Sequence, residues 1–263
     1  MNRRRPPAIG RRQEAGLWPK TGDQRPAIAM PIAENIAAIR SRIAAAAQRV
    51  SRPPGDITLM AVSKTFSAEE IRGAYAAGVR VFGENRMQEF AAKAEALRSL
   101  TEAEFHFIGH LQTNKAGKAV ELFRGIDSLD SLRLASKLEE AAARLGTCLP
   151  VLIEINVGGE RQKTGVRPGS DELEQLLQAA ARLPHLKFSG LMTVPPFTED
   201  PEGARHFFRA LRALRGEIAA RNLPAIGLEV LSMGMSHDFE VAIEEGATCV
   251  RVGTALFGAR SGA

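Results

Sequence analysis

The chain is poor in sulfur and in polar aromatics, with two cysteines, one tryptophan and one tyrosine among 263 residues. Cys148 and Cys249 stand far apart and in no metal-ligand spacing. Neither a disulfide framework nor a cysteine-built metal site is therefore expected, and a reducing cytoplasm is the simple compartment. No apolar run approaches the roughly 18 residues of a membrane span, so no membrane is expected as a partner. Acidic residues are scarce in one place only. Residues 1–30 carry Arg3, Arg4, Arg5, Arg11, Arg12, Lys20 and Arg25 against Glu14 and Asp23. This segment accounts for the whole net charge of +5, leaving 28 basic and 28 acidic residues in the remainder. A neutral body gives no ground for a nucleic-acid surface. With Pro6, Pro7, Gly10, Gly16 and Gly22 and no apolar periodicity, residues 1–30 read as a disordered basic extension. They lack the apolar core of a secretory signal.

What is present begins at Pro31. Ile32, Ile36, Ile39 and Ile43 recur at helical spacing, and Pro53-Pro54-Gly55 stops that helix. A short apolar run, a polar turn and an amphipathic stretch then repeat. The apolar runs are 57–63, 79–83, 105–109, 125–129, 151–157, 188–193, 228–233 and 248–252. The helical stretches between them are punctuated. Ser67 and Glu70 have the spacing of a capping box, Asp130 or Ser131 can cap the next long helix, and Gly78 and Gly146 end helices. Eight strands alternating with helices predict an α/β fold, a (β/α)8 TIM barrel over residues 31–263 with an additional N-terminal helix. A doubly wound open sheet is the alternative. The barrel directs attention to the C-terminal ends of its strands, where such barrels carry their chemistry.

The first strand ends in Leu59-Met60-Ala61-Val62-Ser63-Lys64. Alternation puts Thr58, Met60, Val62 and Lys64 on one face. If that face points inward, Lys64 is its uppermost layer. An amine partly withdrawn from water there has a lowered pKa and a lone pair free to attack a carbonyl. A lone strand-end lysine is more often a solvated one, but the last two strands shift the balance. Leu231-Ser232-Met233-Gly234-Met235-Ser236-His237-Asp238 and Arg251-Val252-Gly253-Thr254-Ala255 place small and hydroxyl residues just after strands seven and eight. These are the loops that commonly hold phosphate in this barrel, by backbone N–H groups and hydroxyls. Arg251 shares a face with Cys249 and Gly253, so a guanidinium is expected in the mouth, facing a barrel carboxylate or a ligand acceptor. An aldehyde-reactive lysine, a phosphate cradle and an inward arginine together fit pyridoxal 5′-phosphate.

The segments AVSKT, FGEN (Phe82–Asn85), HFIGHLQTNK (His106–Lys115), INV (Ile155–Val157), KTG, GLMT, LSMGMSHD and RVGTALFG are similar to those of the YggS/PROSC family of pyridoxal phosphate homeostasis proteins. The resemblance runs over about residues 31 to 260. It implies the alanine racemase N-terminal barrel, with Lys64 as the Schiff-base lysine. It further implies phosphate contacts from Ser232, Met235, Ser236, Gly253 and Thr254, and an Arg251 contact to the ring nitrogen. Asn85 and Asn156 match strand-end positions near the cofactor.

Other polar residues have plainer readings. His106 and His110 straddle a strand end and a turn, which is no helical zinc pair. His237-Asp238 after Ser236 has adjacency but not triad geometry. Asp238 is expected to complement the dipole of the helix that follows, and Lys163 to be a solvated loop lysine. Racemisation needs a base on each face of the planar intermediate, and the resemblance implies that alanine racemase draws its second from a further domain. This chain ends at residue 263, just past strand eight, and its sole tyrosine, Tyr75, falls on an outer helix. A permanently charged Arg251 at the ring nitrogen also makes the ring a poorer electron sink. The expectation is therefore a monomeric carrier that holds pyridoxal phosphate reversibly, delivers it to apo-enzymes and affects amino acid and keto acid balance indirectly. The alternative is a single-domain pyridoxal phosphate-dependent racemase.

Overall fold

The eight apolar runs pair side by side, all parallel, in chain order. In the computed structural model, which describes residues 32–160 and 163–258, they form a closed barrel. The extension expected over residues 1–30 lies outside the described residues. The strands are β1 (Thr58–Val62), β2 (Val81–Glu84), β3 (Glu104–Phe107), β4 (Gly125–Leu129), β5 (Leu149–Glu154), β6 (Leu186–Met192), β7 (Ile226–Met235) and β8 (Cys249–Val252). Closure is made by β8 against β1, where Met60 faces Arg251. Pairing every strand leaves no sheet edge.

The outer layer consists of α2 (Ala68–Ala76), α3 (Met87–Ala94), α4 (Ala116–Leu122), α5 (Leu132–Leu145), α6 (Asp171–Ala179), α7 (Arg205–Ala220) and α8 (Phe239–Glu244). Their local signals act as the residue types dictate. Ser67 and Glu70 form both halves of a capping box on α2. Ser131, rather than Asp130, caps α5 through Leu134 N–H, and Gly146 ends it at φ 62°. The fully buried side chains of Phe82, Ile126, Leu134, Leu138 and Phe208 lie in the layer between strands and helices.

The N-terminal helix α1 (Ile32–Arg49) is additional to the barrel pattern. It buries Ile36, Ile39 and Ile43 and packs along α8 and the last short helix, α9 (Thr254–Phe257). Arg42 makes a two-pronged contact with Glu240 at 3.0 and 2.8 Å, and Asn35 donates to the Leu256 carbonyl at 2.9 Å. α1 therefore braces the segment after β8, where the sequence places its phosphate cradle. Only β4 keeps the limits expected from its apolar run; the other strands shift by one to three residues at one or both ends, most at β5 and β7. β5 starts two residues earlier and ends at Glu154, with Ile155 making only an isolated bridge to Val166. β7 continues to Met235. No helix among the described residues is long and apolar enough to cross a membrane.

Candidate functional site at the barrel mouth

Lys64 is not the uppermost layer of the first strand, as alternation suggests, but lies two residues beyond the end of β1. β1 stops at Val62, and Ser63-Lys64-Thr65-Phe66 form a turn in which Phe66 N–H donates to the Ser63 carbonyl at 3.2 Å. Lys64 is half-buried in that turn, at the C-terminal end of the barrel. Its neighbours are anchored firmly. Ser63 is fully buried, and its hydroxyl donates to Glu84 at the end of β2 at 2.6 Å. Thr65 N–H donates to Glu89 on α3, and Thr65 adopts a left-handed φ of 69°.

The strand-seven and strand-eight segments meet beside this turn. Ser236 Oγ accepts from Gly253 N–H at 3.2 Å and from Ala255 N–H at 3.5 Å, so these two amide groups converge on one oxygen. Two converging backbone N–H groups are an anion-binding arrangement, here filled by a hydroxyl. Val252 pairs with Ala61 across β8 and β1, and a Cβ built on Gly253 would stand an ordinary 3.4 Å from the Cβ of Val62, so the nest adjoins the end of β1, two residues before Lys64. Glycine is required nearby. Gly234 has φ +91°, and a Cβ there would come within 2.5 Å of Ala242. Asp238 accepts from Met235 N–H at 2.6 Å and ties off the loop at the start of α8. Thr254 is exposed, whereas Met235 and Ser236 are half-buried.

Arg251 sits below the nest at 3 % exposure. It donates to Ser232 Oγ at 2.7 Å and to the Thr193 carbonyl at 2.6 Å. Neither partner is charged, and among the described residues no carboxylate pairs with it directly. Burial lowers its pKa, opposed by the more distant charges of Asp127, Glu154 and Asp238. Ser232 is thus engaged with the guanidinium, while Ser236 is the hydroxyl in the nest.

The two asparagines part company. Asn156 is buried and donates to the carbonyls of Glu160, at 2.9 Å, and Lys163, at 3.4 Å, which folds the loop after β5. Asn85, immediately after β2, keeps a buried Oδ1 with no hydrogen-bond partner among the described residues. Glu154 is buried nearby and accepts from Thr164 at 2.7 Å; desolvation raises its pKa, partly offset by that bond. Lys163 pairs with Glu160. The Thr193 carbonyl escaped sequence reasoning because any residue supplies a carbonyl. Glu84, an acid closing an apolar strand, was the one signal that could have been read.

His106, half-buried, and Asp127, buried, form a pair 2.8 Å apart in the lower half of the barrel. Burial pulls the imidazole pKa down, but the charge and hydrogen bond of Asp127 prevail, and it stands at about 10. Both line a cavity of about 700 Å³ with Thr58, Glu104 and Cys249. That cavity opens at the N-terminal ends of the strands, away from Lys64. Burial pushes the Cys249 thiol up to about 12, which makes it unreactive. Tyr75 directs its hydroxyl to Glu102 at 3.4 Å, in the loop before β3, at the same far end. His110 meets Asp130 at 3.2 Å, and His237 faces the Glu199 carbonyl at 3.0 Å.

A primary amine, a pair of converging amides and a buried cation thus share the mouth of a parallel barrel. Such a set can condense with an aldehyde while holding an attached anion. The barrel as a class is shown by sequence: residues 35–261 match the family described as alanine racemase, N-terminal domain. Within that class, the chain belongs to the pyridoxal phosphate homeostasis protein family. The protein of that name from Aquifex aeolicus is 47% identical over 231 residues, covering 88% of this chain and 99% of the relative. That from Pseudomonas aeruginosa is 44% identical over 229 residues, covering 87% and 96%. The structure of PipY from Synechococcus elongatus, with PLP bound, superposes with a TM-score of 0.74 at 40% identity, covering 86% of this chain and all of that one (100%).

Proposed function

We propose that this protein binds pyridoxal 5′-phosphate reversibly at the barrel mouth and serves the cell's supply of that cofactor. The observation that carries the proposal is the pairing of β8 with β1, Val252 beside Ala61, which sets the amide nest next to the end of β1, two residues before Lys64. When bound, the cofactor supplies an aldehyde that forms a Schiff base with an amine, and a phosphate for the nest. The residues fit those two groups. Lys64 supplies the amine from a half-buried turn. Gly253 and Ala255 supply N–H donors, and Ser236 Oγ, now between them, is placed to rotate into a phosphate contact. Thr254 and Met235 border the same nest. Arg251 holds a fixed positive charge beneath it and disfavours a proton at a ring nitrogen there, which suits storage better than carbanion chemistry. Asn85 Oδ1, buried and unpartnered, supplies a further acceptor at the mouth, and Asn156 shapes the neighbouring loop.

No tyrosine stands ready as a second base, since the hydroxyl of Tyr75 lies at the opposite end of the barrel. We read the protein as a carrier for apo-enzymes in the cytoplasm, with amino acid and keto acid balance affected only through them. The test mixes cofactor-loaded protein with a pyridoxal phosphate-dependent apo-enzyme while a phosphatase destroys free cofactor. Recovery of apo-enzyme activity in the presence of the phosphatase is expected. Racemisation of a single-enantiomer amino acid, lost in Lys64→Ala, would replace the carrier reading with an enzymatic one.

A further inference from the structure

Lys93 lies on α3, where an amphipathic helix ordinarily points a lysine into water. Here its side chain is only 11% exposed and runs inward. Its ammonium meets Glu84 Oε1 at 2.8 Å and donates to the Ser63 carbonyl at 3.0 Å and the Phe66 carbonyl at 3.1 Å. Those three acceptors match its three N–H bonds, and the Glu89 carboxylate on the same helix lies 3.6 Å from the ammonium as a weaker second counter-charge. Two of the three acceptors are the first and last residues of the turn that presents Lys64. Glu84 is fully buried, and its Oε1 also accepts from Ser63 Oγ, while Oε2 has no partner among the described residues. One buried ion pair thus grips both ends of one turn.

That turn has reason to need gripping. Thr65, at its third position, has φ 69°. A β-branched residue in the left-handed region is a strained choice, and such strain persists only where the surroundings over-determine it. Glu89, also on α3, holds Thr65 N–H. Phe66 stacks on Phe257 of α9 with ring centroids 4.5 Å apart, which links the turn to the segment bearing the amide nest. A buried ion pair contributes little net stability compared with an apolar pair of the same shape. Its presence beside Lys64 therefore calls for a local role.

We propose that Lys93, with Glu84 as its counter-charge, is a positioning residue that holds the Ser63–Phe66 turn in its strained form and thereby sets how long a ligand attached at Lys64 is retained. The inference rests on the reading of Lys64 as the attachment point. Lys93 touches no ligand itself. Without its ammonium, Thr65 relaxes toward ordinary backbone angles, and the turn that carries Lys64 shifts relative to the Gly253–Ala255 nest.

The experiment compares wild type, Lys93→Met, Glu84→Gln and the double variant Lys93→Met with Thr65→Gly. Two quantities are read: the rate at which pyridoxal phosphate leaves the loaded protein, with free cofactor destroyed by a phosphatase, and amide exchange over residues 59–66 in cofactor-free protein. Lys93→Met is expected to release cofactor about tenfold faster and to exchange faster over 59–66, with the far-UV spectrum unchanged. Adding Thr65→Gly is expected to slow release again, because glycine adopts the turn without strain; a residue needed only for folding would not be rescued this way. Release within twofold of wild type in folded Lys93→Met, or no rescue by glycine, overturns the proposal. If Lys93→Met does not fold, the isosteric Glu84→Gln decides by the same two readings. A wild type that binds no cofactor defeats the reading of Lys64 instead, and exchange over 59–66 still decides whether Lys93 holds the turn.

Discussion

At the scale of single residues, Arg251 carries the heaviest electrostatic burden in the mouth. It is desolvated, its direct partners are a hydroxyl and a carbonyl, and the carboxylates that favour its charge act from a distance. A buried cation so placed is unfavourable for stability and favourable for an incoming acceptor. Arg251→Gln keeps a donor for Ser232 or Thr193 and removes the charge. It is expected to weaken cofactor binding by about tenfold, roughly one charge-assisted hydrogen bond, with a thermal midpoint no lower than wild type. An absorbance titration and a melting curve check the two halves. Unchanged affinity would remove Arg251 from the site. Lys64 itself owes its position to backbone it does not share: Ser63 is held by Glu84, and Thr65 by Glu89.

Elements in this protein divide into those specified by local chemistry and those that exist only on closure of the barrel. α2 belongs to the first kind. Ser67→Ala removes the side-chain half of its capping box and is expected to cost about 1 kcal/mol, within the range of 0.5–2 for such caps, as read from urea unfolding. The same locality explains why this helix, the Gly146 stop of α5 and all eight strands were legible in the sequence. Caps, stops and alternation act over a few residues. The end of β1 was less legible, because Lys64 enters a turn that is stabilised from α3 rather than by its own neighbours. Arg251 was legible as an inward residue by alternation, but its partners Ser232 and Thr193 lie 19 and 58 residues away. Only closure of the barrel brings Ser232 and Thr193, rather than a carboxylate, to the guanidinium. Lys93 reads in sequence as one more surface lysine, and nothing local distinguishes it.

For the whole molecule, the barrel keeps two polar centres at opposite ends. The strand C-termini hold Lys64, the amide nest and Arg251, and the lower interior holds the His106–Asp127 pair. That pair makes stability depend on pH. The folded imidazole titrates at about 10, above its ordinary value near 6.5. Its contribution is therefore complete below about pH 6.5 and is lost as pH rises through about 10. Unfolding free energy measured between pH 7 and 11 should fall across that window, and Asp127→Asn should flatten the fall; an equal slope in both proteins would rule the pair out as its source. The central claim concerns the other end of the barrel. Protein incubated with pyridoxal phosphate, reduced with borohydride, digested and weighed by mass spectrometry tests it most directly. The account predicts one modified peptide, carrying the pyridoxyl phosphate mass on Lys64, and no stable adduct in Lys64→Ala. A reduced adduct on another lysine with Lys64 unmodified, or none at all, would contradict it.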